Sequence, residues 1–205
     1  MDQDSTDKLG FTRRTLVVSA AIVPIAAIRS ATAAPTQPTT ALTSAQLKLV
    51  DAVADRLIPK DENGPGASEC GAANYIDRAL AGAISAEKAA FLEGLAAIDA
   101  FSVKSQGKDF AELSDDAKDA VLTAMDNGTA TGFTPNSRGF FTRIRRLTLE
   151  GTFSDPYYGG NKNFAGWDLI GYPGPRLATS AEEQKMHVTI KPIHTSAWGG
   201  AKNGH

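Results

Sequence analysis

Residues 43–59 read TSAQLKLVDAVADRLIP, and this stretch sets the fold class. Thr43 followed three residues later by Gln46 is the pattern of a capping box, in which each side chain takes a backbone N–H that a helix start leaves unpaired. Leu42 and Leu47 occupy the two positions of a hydrophobic staple across that start. Leu47, Val50, Ala54 and Leu57 then recur at three- and four-residue spacing, one stripe of an α-helix. Pro59 closes the element, because it lacks an N–H and disfavours helical geometry in the residue before it.

The same signals repeat downstream. After the turn-rich residues 60–67 (KDENGPGA), a second helix is expected from Ser68 through Ile76 and Leu80 to Gly82. A third begins near Ser85 and carries Phe91, Leu95 and Ile98. Ser114, with Asp115 and Asp116 in the first turn, opens a fourth that ends at Asn127-Gly128. A fifth covers residues 136–150, with Phe140, Phe141, Ile144 and Leu147 on its core face. No alternating strand pattern occurs before Met186–Ile190. The expected fold is mainly α: a single helical domain of about five helices within residues 42–205, then a Gly/aromatic-rich irregular segment and an irregular tail.

Composition narrows the chemistry. A chain of 205 residues and 21.5 kDa has the size of one domain, and 42% hydrophobic with 21% charged residues excludes wholesale disorder. A formal charge of −2 and a pI near 5.9 argue against a nucleic-acid partner. One cysteine forms no internal disulfide, Fe–S site or structural zinc cluster, and three histidines give little for a metal site. No nucleotide-binding, redox or zinc-protease motif is present: G-x-G-x-x-G after a strand, G-x-x-x-x-G-K-[ST], C-x-x-C and H-E-x-x-H are all missing. No catalytic, cofactor-binding or metal-binding residue is therefore assigned, and no cofactor is expected in this chain.

The N-terminus reads as an address. Thr12-Arg13-Arg14-Thr15-Leu16 resembles the twin-arginine export signal and precedes a 13-residue apolar run from Leu16 to Ile28. Crossing a bilayer takes roughly 20 apolar residues, and Pro24 interrupts this run, so a signal is the better reading than an anchor. The side chains of residues 1–14 sum to zero charge, where general secretion favours a positive start. Ala31-Thr32-Ala33 offers the cleavage site, through Ala31 and Ala33. Residues 1–33 are thus expected to be a signal, 34–41 (APTQPTTA) a linker, and the mature chain to carry a charge of −3. The twin-arginine route carries folded cargo, usually with a cofactor already inserted. A chain with that address and no cofactor motif points to export as part of a complex.

Residues 151–176 have a different texture, with six glycines, three prolines and six aromatics: Phe153, Tyr157, Tyr158, Phe164, Trp167 and Tyr172. Only Asp155, Lys162, Asp168 and Arg176 are charged there, and they cancel. Irregular segments of this length in compact domains are usually functional, and interfaces are rich in Tyr and Trp. The six aromatics are therefore candidates for a partner interface, with packing over the helical core as an equal and compatible role. Other features read as ordinary. Gly159-Gly160 is a turn pair rather than a phosphate loop, His187, His194 and His205 are surface residues, and Asn127-Gly128-Thr129 is a turn. Cys70 is expected as a buried or idle thiol ahead of an inter-subunit disulfide. Arg138, Arg143, Arg145 and Arg146 form a solvated helix face first and an acidic partner's patch second.

The run Asp155-Pro156-Tyr157-Tyr158-Gly159-Gly160-Asn161, followed by Gly166-Trp167 and by Leu169-Ile170-Gly171-Tyr172-Pro173-Gly174, resembles the gluconate 2-dehydrogenase subunit 3 family. Leu57-Ile58-Pro59, Gly64-Pro65-Gly66-Ala67 and Tyr75-Ile76-Asp77 resemble its first half, so the likeness runs from about residue 44 to 176 and leaves out the tail from Leu177. The resemblance implies the non-catalytic small subunit of a periplasmic dehydrogenase complex, membrane-associated through its partners. It implies a large FAD-containing subunit that oxidises a sugar or sugar acid, and a cytochrome c subunit that passes electrons toward quinone. FAD and haem c, with or without an Fe–S cluster, would thus sit in partner subunits. The small subunit would support maturation and export of the flavoprotein through the twin-arginine translocase. The other classes kept open are a free-standing periplasmic carbohydrate-binding protein and, more weakly, a cofactor-free hydrolase.

Overall fold

The computed structural model describes residues 40–199. Arg13, Arg14, Leu16, Ala31 and Ala33 of the expected signal, and most of the 34–41 linker, lie outside the described residues. Among the described residues six α-helices follow in order: α1 (Ser44–Leu57), α2 (Ala72–Ala81), α3 (Lys88–Gln106), α4 (Asp115–Asp126), α5 (Ser137–Phe153) and the short α6 (Ala165–Leu169). The mainly helical single domain expected from the sequence is borne out. Among the described residues the only β-type pairing is an isolated bridge between Asp61 and Gly64, and Met186–Ile190 forms no strand.

The helix starts show how the sequence sets the elements. At α1 the capping box forms in both directions: Gln46 N–H donates to Thr43 Oγ1 at 3.3 Å, and Thr43 N–H to Gln46 Oε1 at 2.9 Å. Asn136 caps α5 by accepting from Gly139 N–H at 2.8 Å. Ser114 stands at the α4 N-cap but makes no side-chain cap hydrogen bond, leaving Asp115 and Asp116 to favour that terminus by charge. The second helix begins at Ala72 rather than Ser68, because Gly71 takes a left-handed φ of 75° and residues 67–71 close a turn of their own. The fifth runs to Phe153. Gly151 does not end it but lies where α5 crosses α2, so close that an added Cβ would come within 2.8 Å of Ala72 Cα.

One core joins the first five helices. Val50 and Val53 of α1, Ile76 and Leu80 of α2, Phe91, Leu95 and Ile98 of α3, Met125 of α4, and Ile144 and Leu147 of α5 are all buried in it. Phe140 is buried too, whereas Phe141, expected beside it, is half-buried. Polar contacts tie the periphery. The buried Asp77 carboxylate accepts from Ala41 and Leu42 N–H, both at 2.7 Å, and so fixes where the chain enters α1. Arg56 of α1 makes a two-pronged contact to Asp119 of α4 at 2.8 and 2.7 Å, and that hydrogen bonding holds the Asp119 carboxyl below its ordinary range. Tyr75 of α2 donates to Glu150 of α5 at 2.9 Å; burial, then this carboxylate, pushes its phenol up to about 12.

Gly94 of α3 lies against the Phe140 ring, with no space for a methyl group, and Phe91 packs on the same ring at 5.4 Å. Gly94→Ala should therefore cost about 1–3 kcal/mol through overpacking. Urea unfolding should show a lower midpoint with an unchanged slope. A midpoint equal to that of the parent chain would mean that the ring yields without cost.

Candidate functional site

The segment after α5 folds around one buried amide. Asn161 is wholly buried, and its Oδ1 accepts from Gly166 N–H at 2.9 Å and more weakly from Trp167 N–H at 3.4 Å. Its Nδ2 donates to Ser154 C=O at 2.8 Å, and its backbone N–H donates to Gly151 C=O at 2.8 Å. One side chain thus ties the end of α5 to the start of α6. Its φ of 44° lies in the left-handed region, which asparagine tolerates better than most residues. Asn163 at 56° and Phe164 at 61° are left-handed as well, and Phe164 is a bulky residue for which that geometry is strained.

The glycines around Asn161 answer to close approaches. A side chain on Gly160 would strike the Gly151 carbonyl, and one on Gly166 the Thr152 carbonyl. The loop therefore lies directly on the last turn of α5. Lys162 N–H also reaches Cys70 C=O at 2.9 Å, joining the loop to the turn before α2. Cys70 is buried there, as expected, and burial pushes its thiol up, away from the reactive thiolate.

Asp155 opens the segment. Its Oδ1 accepts from Tyr157 N–H at 2.9 Å and caps the single 3₁₀ turn Pro156–Tyr158, with Pro156 at the favoured first position. Gly159 then takes a left-handed φ of 97° to turn the chain back. The turn reading of Gly159-Gly160 agrees with this geometry.

The six aromatics divide into two sets. Phe164 and Trp167 turn inward, 7% and 5% exposed, with ring centres 5.3 Å apart, and Trp167 Nε1–H donates to Phe153 C=O at 2.9 Å. These two take the packing role that the sequence left equal to an interface, because they fill the space between loop and helix. Tyr157, Tyr158 and Tyr172 point outward, 51%, 42% and 39% exposed, while Phe153 is half-buried. Tyr172 stands edge-on to Trp167 at 4.8 Å, so an inward ring supports an outward one.

The tail after Arg176, to which sequence reasoning assigned nothing, reaches this site. The His194 ring stacks on Phe164 at 5.1 Å and 6°, and its Nε2 lies 2.7 Å from Asp168 Oδ1. Trp198 lies beside Tyr157 at 5.9 Å. No spacing rule links residues 26 or more positions apart in irregular chain, and the aromatic at 198 was the one signal available.

The arginines of α5 are largely engaged. Arg138 donates to the C=O groups of Asp126 and Asn127 at the end of α4, Arg143 pairs with Glu87 at 3.5 Å, and Arg146 with Glu150 at 2.6 Å. Among the described residues no three His, Cys, Asp or Glu side chains gather where they could hold a metal ion. No helix among them is long and apolar enough to cross a membrane.

Five helices closed by a glycine-, asparagine- and aromatic-built loop define a helical scaffold with one exposed aromatic face. Residues 44–174 match the family model of gluconate 2-dehydrogenase subunit 3, and the chain belongs to that family. The family is one of subunits of an oxidoreductase complex. The match begins at the first residue of α1 and ends at Gly174, leaving out the tail. No curated protein and no solved structure matches the chain.

Asn161→Ala should leave Gly166 N–H and Ser154 C=O without their partner. A buried unpaired group costs about 1–3 kcal/mol, so destabilisation of at least about 2 kcal/mol is expected. Chemical unfolding followed by Trp167 fluorescence measures it. A loss below about 0.5 kcal/mol, the range of an ordinary surface substitution, would mean that water replaces the amide and that the loop does not depend on it.

Proposed function

We propose that this chain is the non-catalytic small subunit of a periplasmic, FAD-dependent dehydrogenase complex of the gluconate 2-dehydrogenase kind. It supports maturation and twin-arginine export of the large flavoprotein subunit and stabilises it. The observation that carries the reading is the family match, which spans the five-helix body and the loop through Gly174. The export part rests on Arg13, Arg14 and Leu16, the apolar run after them, and the Ala31/Ala33 cleavage site. The non-catalytic part rests on the cofactor motifs missing from the sequence. FAD belongs to the large subunit and haem c to a cytochrome c subunit, and the chain is associated with the membrane through its partners.

The exposed Tyr157, Tyr158 and Tyr172 favour docking of the large subunit on the loop. Tyrosines offer large contact area with few rotatable bonds, which keeps the entropy lost on binding small. The inward Trp167 supports Tyr172 from beneath.

The test separates export by charge from export by recognition. Arg13→Lys with Arg14→Lys keeps the charge, the apolar run and the cleavage site, but lysine lacks the planar guanidinium fork. The double variant should leave both this chain and the large subunit in the cytoplasm, the latter with flavin bound. Fractionation of cells that express the whole complex reads the result. Large subunit at normal levels in the periplasm, with this chain retained inside, would remove the escort role.

A further inference from the structure

Residues 177–199 lie beyond the family match, yet they are fastened to the loop at several points. Ile193 N–H donates to Pro173 C=O at 3.0 Å, and Gly174 packs so closely on the Ile193 carbonyl that no side chain fits between them. His194 stacks on Phe164 and contacts Asp168. Ala197 N–H donates to Asp155 Oδ2 at 2.8 Å. Arg176 donates to Glu183 at 2.7 Å and to Lys191 C=O at 2.6 Å. These contacts hold Trp198 beside Tyr157 and Tyr158, with ring centres at 5.9 and 6.4 Å, while 62% of it remains exposed.

Between Trp198 and the loop lies a cleft of about 360 Å³, lined mainly by Phe153, Trp167, Ile170, Tyr172 and Pro175. Ile170 at its edge is 56% exposed. The polar groups around it are engaged within the chain: both Asp155 oxygens accept backbone N–H groups, Asp168 faces His194, and Arg176 pairs with Glu183. The lining is mainly apolar, so a charged occupant would lose its hydration on entry with little to replace it. Exposed apolar surface rimmed by polar groups marks an interaction site, and Trp and Tyr are the side chains that most often anchor one.

We propose that the tail is half of the docking surface, and that the cleft beside Trp198 receives an uncharged, apolar segment of the large dehydrogenase subunit. This rests on the reading that the loop docks that subunit, and it adds an anchor from outside the family match. Trp198 is the central contact, Ile170 and Tyr172 form the opposite wall, and the Asp155 and His194 contacts hold the tail in register.

The experiment co-expresses the complete complex with Trp198→Ala, Trp198→Phe, Ile170→Lys, Tyr158→Ala or, as a control on α5, Arg145→Ala. Each purified variant is measured for affinity to the large subunit, and each free chain for its unfolding midpoint and self-association. Trp198→Ala should weaken assembly by about 30-fold with an unchanged midpoint, as loss of a buried aromatic anchor does. Trp198→Phe should recover most of that loss. Ile170→Lys, which leaves the tail contacts intact, should weaken assembly at least about tenfold by burying an unpaired charge. Arg145→Ala should have no effect. Assembly within about twofold of the parent for both Trp198→Ala and Ile170→Lys, with Tyr158→Ala still weakening it, would overturn the role of the tail and leave the loop as the docking face. If Tyr158→Ala is silent as well, the docking reading falls with it. Dimers of the free chain that Trp198→Ala dissociates would assign the cleft to a second copy and also overturn the proposal.

Discussion

The Asn161 side chain is the contact on which the functional half of this molecule depends. Its amide accepts from the start of α6 and donates to the end of α5, so two pieces of chain with no regular structure between them are held in one geometry. The local cost is appreciable. Left-handed backbone costs about 1–2 kcal/mol for a residue other than glycine, and Asn161, Asn163 and Phe164 all adopt it. Each hydrogen bond returns only about 0.5–1.5 kcal/mol net. The balance is tipped by burial of Phe164 and Trp167, since a large apolar side chain contributes about 1.5–3 kcal/mol. The amide directs the loop, and the two inward rings hold it there.

The motif residues of the family segment therefore read as architecture. Asp155 caps a turn and receives the tail, Gly160 and Gly166 let the loop lie on α5 carbonyls, and Trp167 bonds back to the Phe153 carbonyl. The same economy governs the body below it. Gly94 and Gly151 sit where a ring and a helix backbone approach most closely, so small residues set the helix spacing and large ones fill the space between.

Tyr172 and the tail that carries Trp198 rest on that inner layer. Tyr172 leans on Trp167, and the tail that carries Trp198 is held by His194 on Phe164. Support beneath exposed rings lowers the entropy lost when they are covered, so in the proposed docking the buried aromatics would contribute without touching a partner.

The five long helices were legible in the sequence because their signals are local. The Thr43–Gln46 box, the Asn136 cap and the three- and four-residue apolar spacing lie within a few turns of the groups they satisfy. The family segment was legible as a pattern too, and the membership that its residues suggested holds over 44–174. Three things were decided only by the tertiary structure. Gly151 reads as a break but lies inside α5, because only the packed fold brings Ala72 against it. The aromatics of residues 153–172 divide into inner and outer sets, and no periodicity in an irregular segment says which way a ring faces. Nothing local in the tail says where it packs, and its contacts with Asp155, Phe164 and Asp168 join residues 26–42 positions apart. Local backbone preferences are written in neighbouring residues, whereas the placement of irregular chain depends on which distant surfaces remain to be covered once the helices have packed.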